Sequence, residues 1–306
     1  MDRALASYRL ASAAARGLPG PLAEVGTRLA AAGAIAATPE RRFIVERNLR
    51  RVVGQDIGPF RLRRMVQRTF QHYARYWVES FRLPGTATED IAAGFEAEGY
   101  RYVHEARESG IGPIMALPHL GGWEWAAFWL TTKQHVPITA VVEPPESEEL
   151  FEWFVDFRRS LGMSVIPLGP SAGTEVVRAI KARHVVCLLC DRDIGGGGVE
   201  VEFFGERTTL PAGPATLALR TGAPLLPTAV YYEGSLHRAV VREAIPTERE
   251  GRLRDDVSRV TQDLARALEE LIRAAPEQWH LMQPNWPSDH EALERFRRSS
   301  PWSRRV

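Results

Sequence analysis

The sequence predicts an α/β fold, an αβα sandwich with a central mixed, mostly parallel sheet and an N-terminal helical extension. Two observations predict it. From residue 111 onward, short apolar β-branched runs alternate with helical runs, the pattern of strands joined by crossover helices. Before residue 105, apolar residues recur at helical spacing and no strand-like run stands out. The 306 residues are 44% hydrophobic and 25% charged, enough apolar material for a large core and unlike a disordered, collagenous or coiled-coil chain. One domain over 1–306 is expected, with a helical part at 1–105, an α/β core at 106–290 and a tail at 291–306.

The elements follow in order. Residues 3–16 and 22–37 read as helices separated by a turn at 17–21, where GLPGP stands. A third helix opens at Pro39, with Thr38 as its N-cap, and runs to 53. A fourth, rich in Arg, Tyr, Phe and Trp, covers 59–81. Strands are expected at 112–118, 137–143, 163–169 and 184–190, with helices near 122–133, 147–161 and 173–182 between them. A strand-like run at 199–205 and a helix near 212–221 come next. A hairpin of 224–234 and 236–245 turns at Gly234-Ser235, and a long helix at 253–274 follows.

A net charge of +1, from 39 basic and 38 acidic residues, argues against a nucleic-acid partner. Two cysteines make no disulfide scaffold. Cys187 and Cys190 sit in the apolar run HVVCLLCD, point to opposite faces of a strand, and read as buried core residues. No ligand cluster for a metal stands out. No uncharged apolar run reaches the length of a membrane span, and Asp2, Pro19 and Pro21 spoil a signal peptide. The chain is therefore expected in the cytoplasm, either soluble or resting on a membrane.

The segment LPHLGGWEW at 117–125 carries the sharpest chemical signal. His119 follows an apolar strand, Gly121 and Gly122 permit a tight turn, and Glu124 falls in the first turn of the next helix. On a continuous helix, five residues turn about 500°, which leaves the two side chains roughly 140° apart. The glycine turn instead lets His119 fold back over the helix start. Glu124 would then hold one imidazole nitrogen and raise the basicity of the other. Amides of the turn and helix start would receive developing negative charge.

At these residues the chain resembles the lysophospholipid and lipid A type acyltransferases, whose signature is His, four residues, then Asp or Glu. The likeness continues through FEWFVDFRRSLGMSVIPLG at 151–169, DRDIGGGGVEVEFFGE at 191–206, APLLP at 223–227 and PEQWHLMQPNW at 276–286. Within that family, the likeness is to the actinobacterial phosphatidylinositol mannoside acyltransferases. It implies a glycerol-3-phosphate-acyltransferase-like fold and an acyl-CoA co-substrate with no other cofactor. It also implies transfer to a hydroxyl of a phosphate-bearing glycolipid, the mannose of a phosphatidylinositol mannoside. His119 is then general base and Glu124 its orienting partner. Arg158, with Arg159 next, would bind a phosphate of lipid or coenzyme A. The chain lacks the transmembrane helix of the Gram-negative lipid A enzymes, so the resemblance implies a peripheral protein at the cytoplasmic, inner face of the cell membrane. The basic, aromatic helices 41–51 and 61–77 either bind anionic headgroups or simply pack in the domain.

Asp191, Arg192 and Asp193 end a buried strand at the side where open α/β sheets bind ligands. They would orient a sugar, pin the adjacent glycine loop, or form an internal ion-pair cluster. Glu143 ends its own strand and is a candidate for sugar hydroxyls, and Trp123 joins the substrate-binding set. Trp125, Phe128 and Trp129 read as core or as the wall of an acyl tunnel. A rival chemistry lies in GPSAG at 169–173, which matches the nucleophile elbow of a serine esterase. Pro170 and the lack of a clear Asp-then-His pair weaken it, and Ser171 reads equally as a helix N-cap.

Overall fold

A computed structural model describes residues 3–17, 20–145 and 147–299. Four helices come first: α1 (Arg3–Gly17), α2 (Gly20–Ala37), α3 (Pro39–Val53) and α4 (Pro59–Arg82). All four match the expected spans. The turn expected at 17–21 includes residues 18 and 19, which lie outside the described residues, as do 300–306 of the expected tail. Proline opens both α3 and α4, where its missing N–H costs no helical bond. Thr38 holds the N-cap position of α3, but its Oγ1 donates backward to the Ala34 carbonyl at 2.7 Å instead of capping.

After α5 (Thr88–Ala93) come β1 (Phe95–Glu98), α6 (Tyr100–Glu108), β2 (Ile114–Leu117), α7 (Trp123–Thr132) and β3 (Ile138–Val142). Then follow α8 (Glu148–Ser160), β4 (Met163–Pro167), α9 (Ala172–Lys181) and β5 (Val185–Leu189). The hairpin β6 (Val199–Phe203) and β7 (Glu206–Leu210) leads to α10 (Gly213–Thr221), β8 (Leu225–Glu233), β9 (Leu236–Val241), α11 (Leu253–Ala274) and α12 (Pro287–Ser299).

Seven strands form the central sheet in the order β1-β9-β8-β2-β5-β3-β4, parallel throughout except for the β8–β9 hairpin. Helices α9, α10 and α11 cover one face and α5, α6 and α7 the other, each over its own apolar cluster. The central strands are buried on both sides, which is why β2 reads as the unbroken apolar run IMAL. Helix α11 buries Val257, Val260, Leu264, Leu268 and Leu271, an amphipathic stripe at helical spacing. The N-terminal helices close over a third cluster containing Met65, Phe70 and Met282, and Asn48 Nδ2 donates to the Leu281 carbonyl at 2.8 Å.

Strand β1 lies inside the stretch read as helical. Its Glu and Ala favour helix locally, and parallel pairing of Phe95 with His237 imposes the strand. The run at 199–205 does form a strand, but among the described residues it pairs only with β7, in a separate two-stranded sheet. Chain direction reverses at the centre. From β2 the chain steps outward through β3 to β4, then returns to place β5 between β2 and β3. The β5–β3 neighbourhood is thus the switch point of the sheet, where ligands bind beyond the carboxyl ends of strands.

Candidate active site

At that edge a cavity of about 1030 Å³ opens between α9, α10 and the strand ends. His119, Trp123, Glu143, Arg158, Arg192 and Asp193 line it. Its remaining walls are largely apolar, contributed by β3, β5, α9 and α10.

Strand β2 delivers His119, and the turn behind it depends on Gly121. Gly121 has φ +62°, and a Cβ there would overlap the Val230 carbonyl oxygen. The imidazole does not meet Glu124. Its Nδ1 lies 2.6 Å from Asp191 Oδ1, and the His119 backbone N–H donates to Asp191 Oδ2 at 3.0 Å. The physical reason is register. Leu117 pairs with Leu189 in the parallel β2–β5 ladder, so residues 119 and 191 emerge side by side. Asp191 also accepts from Trp279 Nε1 at 2.7 Å and is fully buried. Burial opposes its ionisation, yet the His119 charge and ring N–H, the indole N–H and the His119 amide outweigh it and hold the carboxyl below the usual range. With Nδ1 engaged by Asp191, Nε2 is the nitrogen left to act as base.

Glu124 points the other way. It is buried, accepts from Arg158 Nη2 at 2.9 Å and from Ser80 Oγ at 2.9 Å, and joins α7 to α8 and α4. The expectation that it orients His119 is therefore corrected, because the helix start aims it at the α4–α8 side. Its task is to hold Arg158, whose guanidinium sits 5.5 Å from the Trp123 ring at the cavity wall and keeps Nε buried without a partner among the described residues.

Asp191 cannot meet a sugar hydroxyl, since it is sealed behind His119 and Trp279. Arg192 binds Glu143 at 2.8 Å, so the two strand-end residues form an ion pair. Asp193 accepts from the Gly198 amide at 2.8 Å, which pins the glycine loop, one of the readings the sequence left open. The turn amides are mostly spent on the fold. Gly121 N–H donates to Gln278 O and Gly122 N–H to Val230 O, which leaves the amides of Trp123 and Glu124 outside these bonds.

The segment around 279 was visible in the sequence without a role. Trp279 orients Asp191, Asn285 Nδ2 donates to the Asp191 carbonyl at 3.0 Å, and His280 N–H donates to the His119 carbonyl at 2.6 Å. The His280 ring is buried near His72 and His119. Burial first, then those neighbouring imidazoles, lowers its pKa to about 3.

A strand-end His–Asp pair facing an apolar cavity can act as a base, and no serine is among the described residues that line the cavity. The family model for bacterial lipid A biosynthesis acyltransferases matches residues 12–288. The chain belongs to this family. It is an enzyme that transfers acyl groups. Phosphatidylinositol mannoside acyltransferase from Mycobacterium tuberculosis is 37% identical over 226 residues, covering 72% of this chain and 70% of that protein. The protein of the same name from Mycolicibacterium smegmatis is 34% identical over 251 residues, covering 80% and 79%.

In this acyltransferase Ser171 is no nucleophile elbow. Its backbone is right-handed helical (φ −84°, ψ −17°), its side chain is exposed, and its Oγ bonds Glu175 at 2.7 Å. It does occupy the N-cap position of α9, although the oxygen turns to Glu175. Trp125, Phe128 and Trp129 belong to the core on the α7 face. Trp125 stacks on His237 with ring centroids 4.2 Å apart. Cys190 is buried as expected, but Cys187 is half-buried and sits in the cavity wall, where burial pushes its thiol up to about 12. Among the described residues no group of His, Cys, Asp and Glu could hold a metal ion, and no helix is long and apolar enough to cross a membrane.

Proposed function

We propose that this acyltransferase moves a fatty acyl chain from an acyl-CoA thioester to a hydroxyl of a phosphatidylinositol mannoside. The observation that carries the reading is the His119–Asp191 pair opening onto the apolar cavity of about 1030 Å³. Ligand pockets run to about 1,000 Å³, and each acyl methylene buried contributes about 0.8 kcal/mol. The shared name and identity of the two mycobacterial relatives support the mannoside acceptor.

His119 Nε2 takes the proton of the acceptor hydroxyl as its oxygen attacks the thioester carbonyl. The tetrahedral intermediate collapses, the C–S bond breaks, and the imidazolium returns the proton to the thiolate of coenzyme A. Asp191 stabilises the imidazolium without accepting a proton itself. Arg158, steadied by Glu124, offers its Nε–H, which has no partner among the described residues, toward a phosphate or the oxyanion.

The enzyme works at the inner face of the membrane. Leu10 on α1, Leu22, Val25 and Leu29 on α2, and Phe60 at the start of α4 are exposed, and Arg61, Arg63 and Arg64 are exposed beside Phe60. Helix α3 serves packing instead, because its Arg47 and Arg51 are bound to the buried Asp289. The test is product analysis by mass spectrometry after incubation with palmitoyl-CoA and a phosphatidylinositol mannoside. An acylated mannoside is expected, with lysophosphatidic acid a poor acceptor. A dominant phosphatidic acid product would overturn the acceptor assignment.

A further inference from the structure

The central sheet is split. Strands β3 and β5 pair only from Ile138↔Val185 to Ala140↔Cys187. Both strands nevertheless run on, β3 beside β4 as far as Val142↔Pro167 and β5 beside β2 as far as Leu117↔Leu189. The opening lies at the switch point: the chain leaves β3 through α8, whose Phe157 packs on the cluster under α5–α7, and leaves β5 toward α10, which packs on the cluster of the other face.

The ladder shows what the split exposes. Val185 N–H donates to Pro137 O, so by the alternation of a parallel ladder the amides of 185, 187 and 189 face β3. The next rung in line is Leu189 N–H to Val141 C=O. The pairing stops before it, and neither group has another protein partner among the described residues. Val141, Val142, Leu188 and Leu189 all line the cavity, while the Glu143–Arg192 ion pair joins the two strand ends beyond them. A passage with apolar walls therefore presents one backbone donor on one side and one backbone acceptor on the other. Such groups are costly to leave without partners.

We propose that this unmade rung between Val141 C=O and Leu189 N–H binds an amide of the thioester donor's pantetheine arm, threaded through the split between β3 and β5. The inference rests on the acyl-CoA donor proposed above. A trans amide directs its C=O and N–H to opposite sides, so one inserted amide satisfies both edges at once. An acyl chain has neither group, and a mannose hydroxyl carries its donor and acceptor on one oxygen atom, whereas the amide sets them on opposite sides of a plane to face the two strands. The pantetheine arm carries amides in series, the first joined to the sulfur by an ethylene link.

The test compares palmitoyl-CoA with two truncated donors: the palmitoyl thioester of N-acetylcysteamine, which keeps the first amide, and that of pentanethiol, which replaces it with methylenes. After correction for intrinsic reactivity toward hydroxylamine, kcat/KM for the pentyl thioester should fall at least about tenfold below that of the N-acetylcysteamine thioester. Exchange of the Leu189 amide, followed by NMR, should slow when a non-transferable thioether analogue of the amide-bearing donor binds, and not with the pentyl analogue. Equal kcat/KM for the two truncated donors, or equal slowing by both analogues, overturns the proposal and assigns the split to the acyl chain. Absence of transfer from palmitoyl-CoA itself overturns the donor assignment, and this inference with it.

Discussion

His119 and Asp191 stand at equivalent places on adjacent parallel strands, each two residues past the Leu117↔Leu189 pair, and their side chains meet at 2.6 Å. His119, the proposed general base, is thus oriented by a neighbouring strand, not by the helix that follows it. Asp191→Asn keeps the shape but no longer enforces the tautomer. A loss of about 10³–10⁴-fold in kcat is expected, with a single cooperative melting transition, at a somewhat lower temperature, showing that the variant still folds. His119→Ala should abolish transfer in a folded protein, and acyl-CoA consumption measures both.

Glu124 gives a different signature. Removing it leaves Arg158 buried and unpaired, so Glu124→Ala should cost about 3–5 kcal/mol of stability, read by chemical denaturation. The acid limb of the pH–rate profile should stay in place, because the His119–Asp191 pair is untouched. A shifted acid limb would return Glu124 to the role of His119's partner.

Ser171→Ala should retain full activity, since its hydroxyl bonds only Glu175 among the described residues and faces solvent. Loss of transfer in that variant would revive the esterase chemistry.

Gly121→Ala should be damaging out of proportion to its size. The residue is left-handed and in contact with the β8 backbone, so any Cβ forces the turn away from Val230. A destabilisation of at least about 2 kcal/mol is expected, together with loss of activity as His119 shifts.

Stability should decline toward acid. His72 is lowered to about 4, chiefly by burial and then by Arg75, and His280 to about 3, chiefly by burial and then by His72 and His119. Both stay neutral in the folded protein while the unfolded chain takes up protons below its pKa of about 6.5. The unfolded state therefore binds more protons between about pH 6.5 and 4, and stability falls there as pH falls. The slope has an upper limit of about 1.4 kcal/mol per pH unit for each histidine. Melting temperature against pH measures it, and His72→Gln should flatten the slope.

The sequence by itself determined the helices and most of the strands, because each carries a local pattern: proline at the first turn of α3 and α4, the amphipathic stripe of α11, the apolar run of β2. It also placed His119 at a strand end before a glycine turn and named Arg158, Glu143 and Arg192 as separate substrate-binding candidates, which the structure brings to one cavity. It missed β1, whose strand comes from pairing with β9 and not from FEAE itself. What only the tertiary structure decided was who faces whom. A motif spacing fixes distance along the chain, whereas the order β2-β5-β3 is set by crossovers that bury both faces of the sheet. That order put Asp191 beside His119, turned Glu124 toward Arg158, and opened the sheet between Val141 and Leu189.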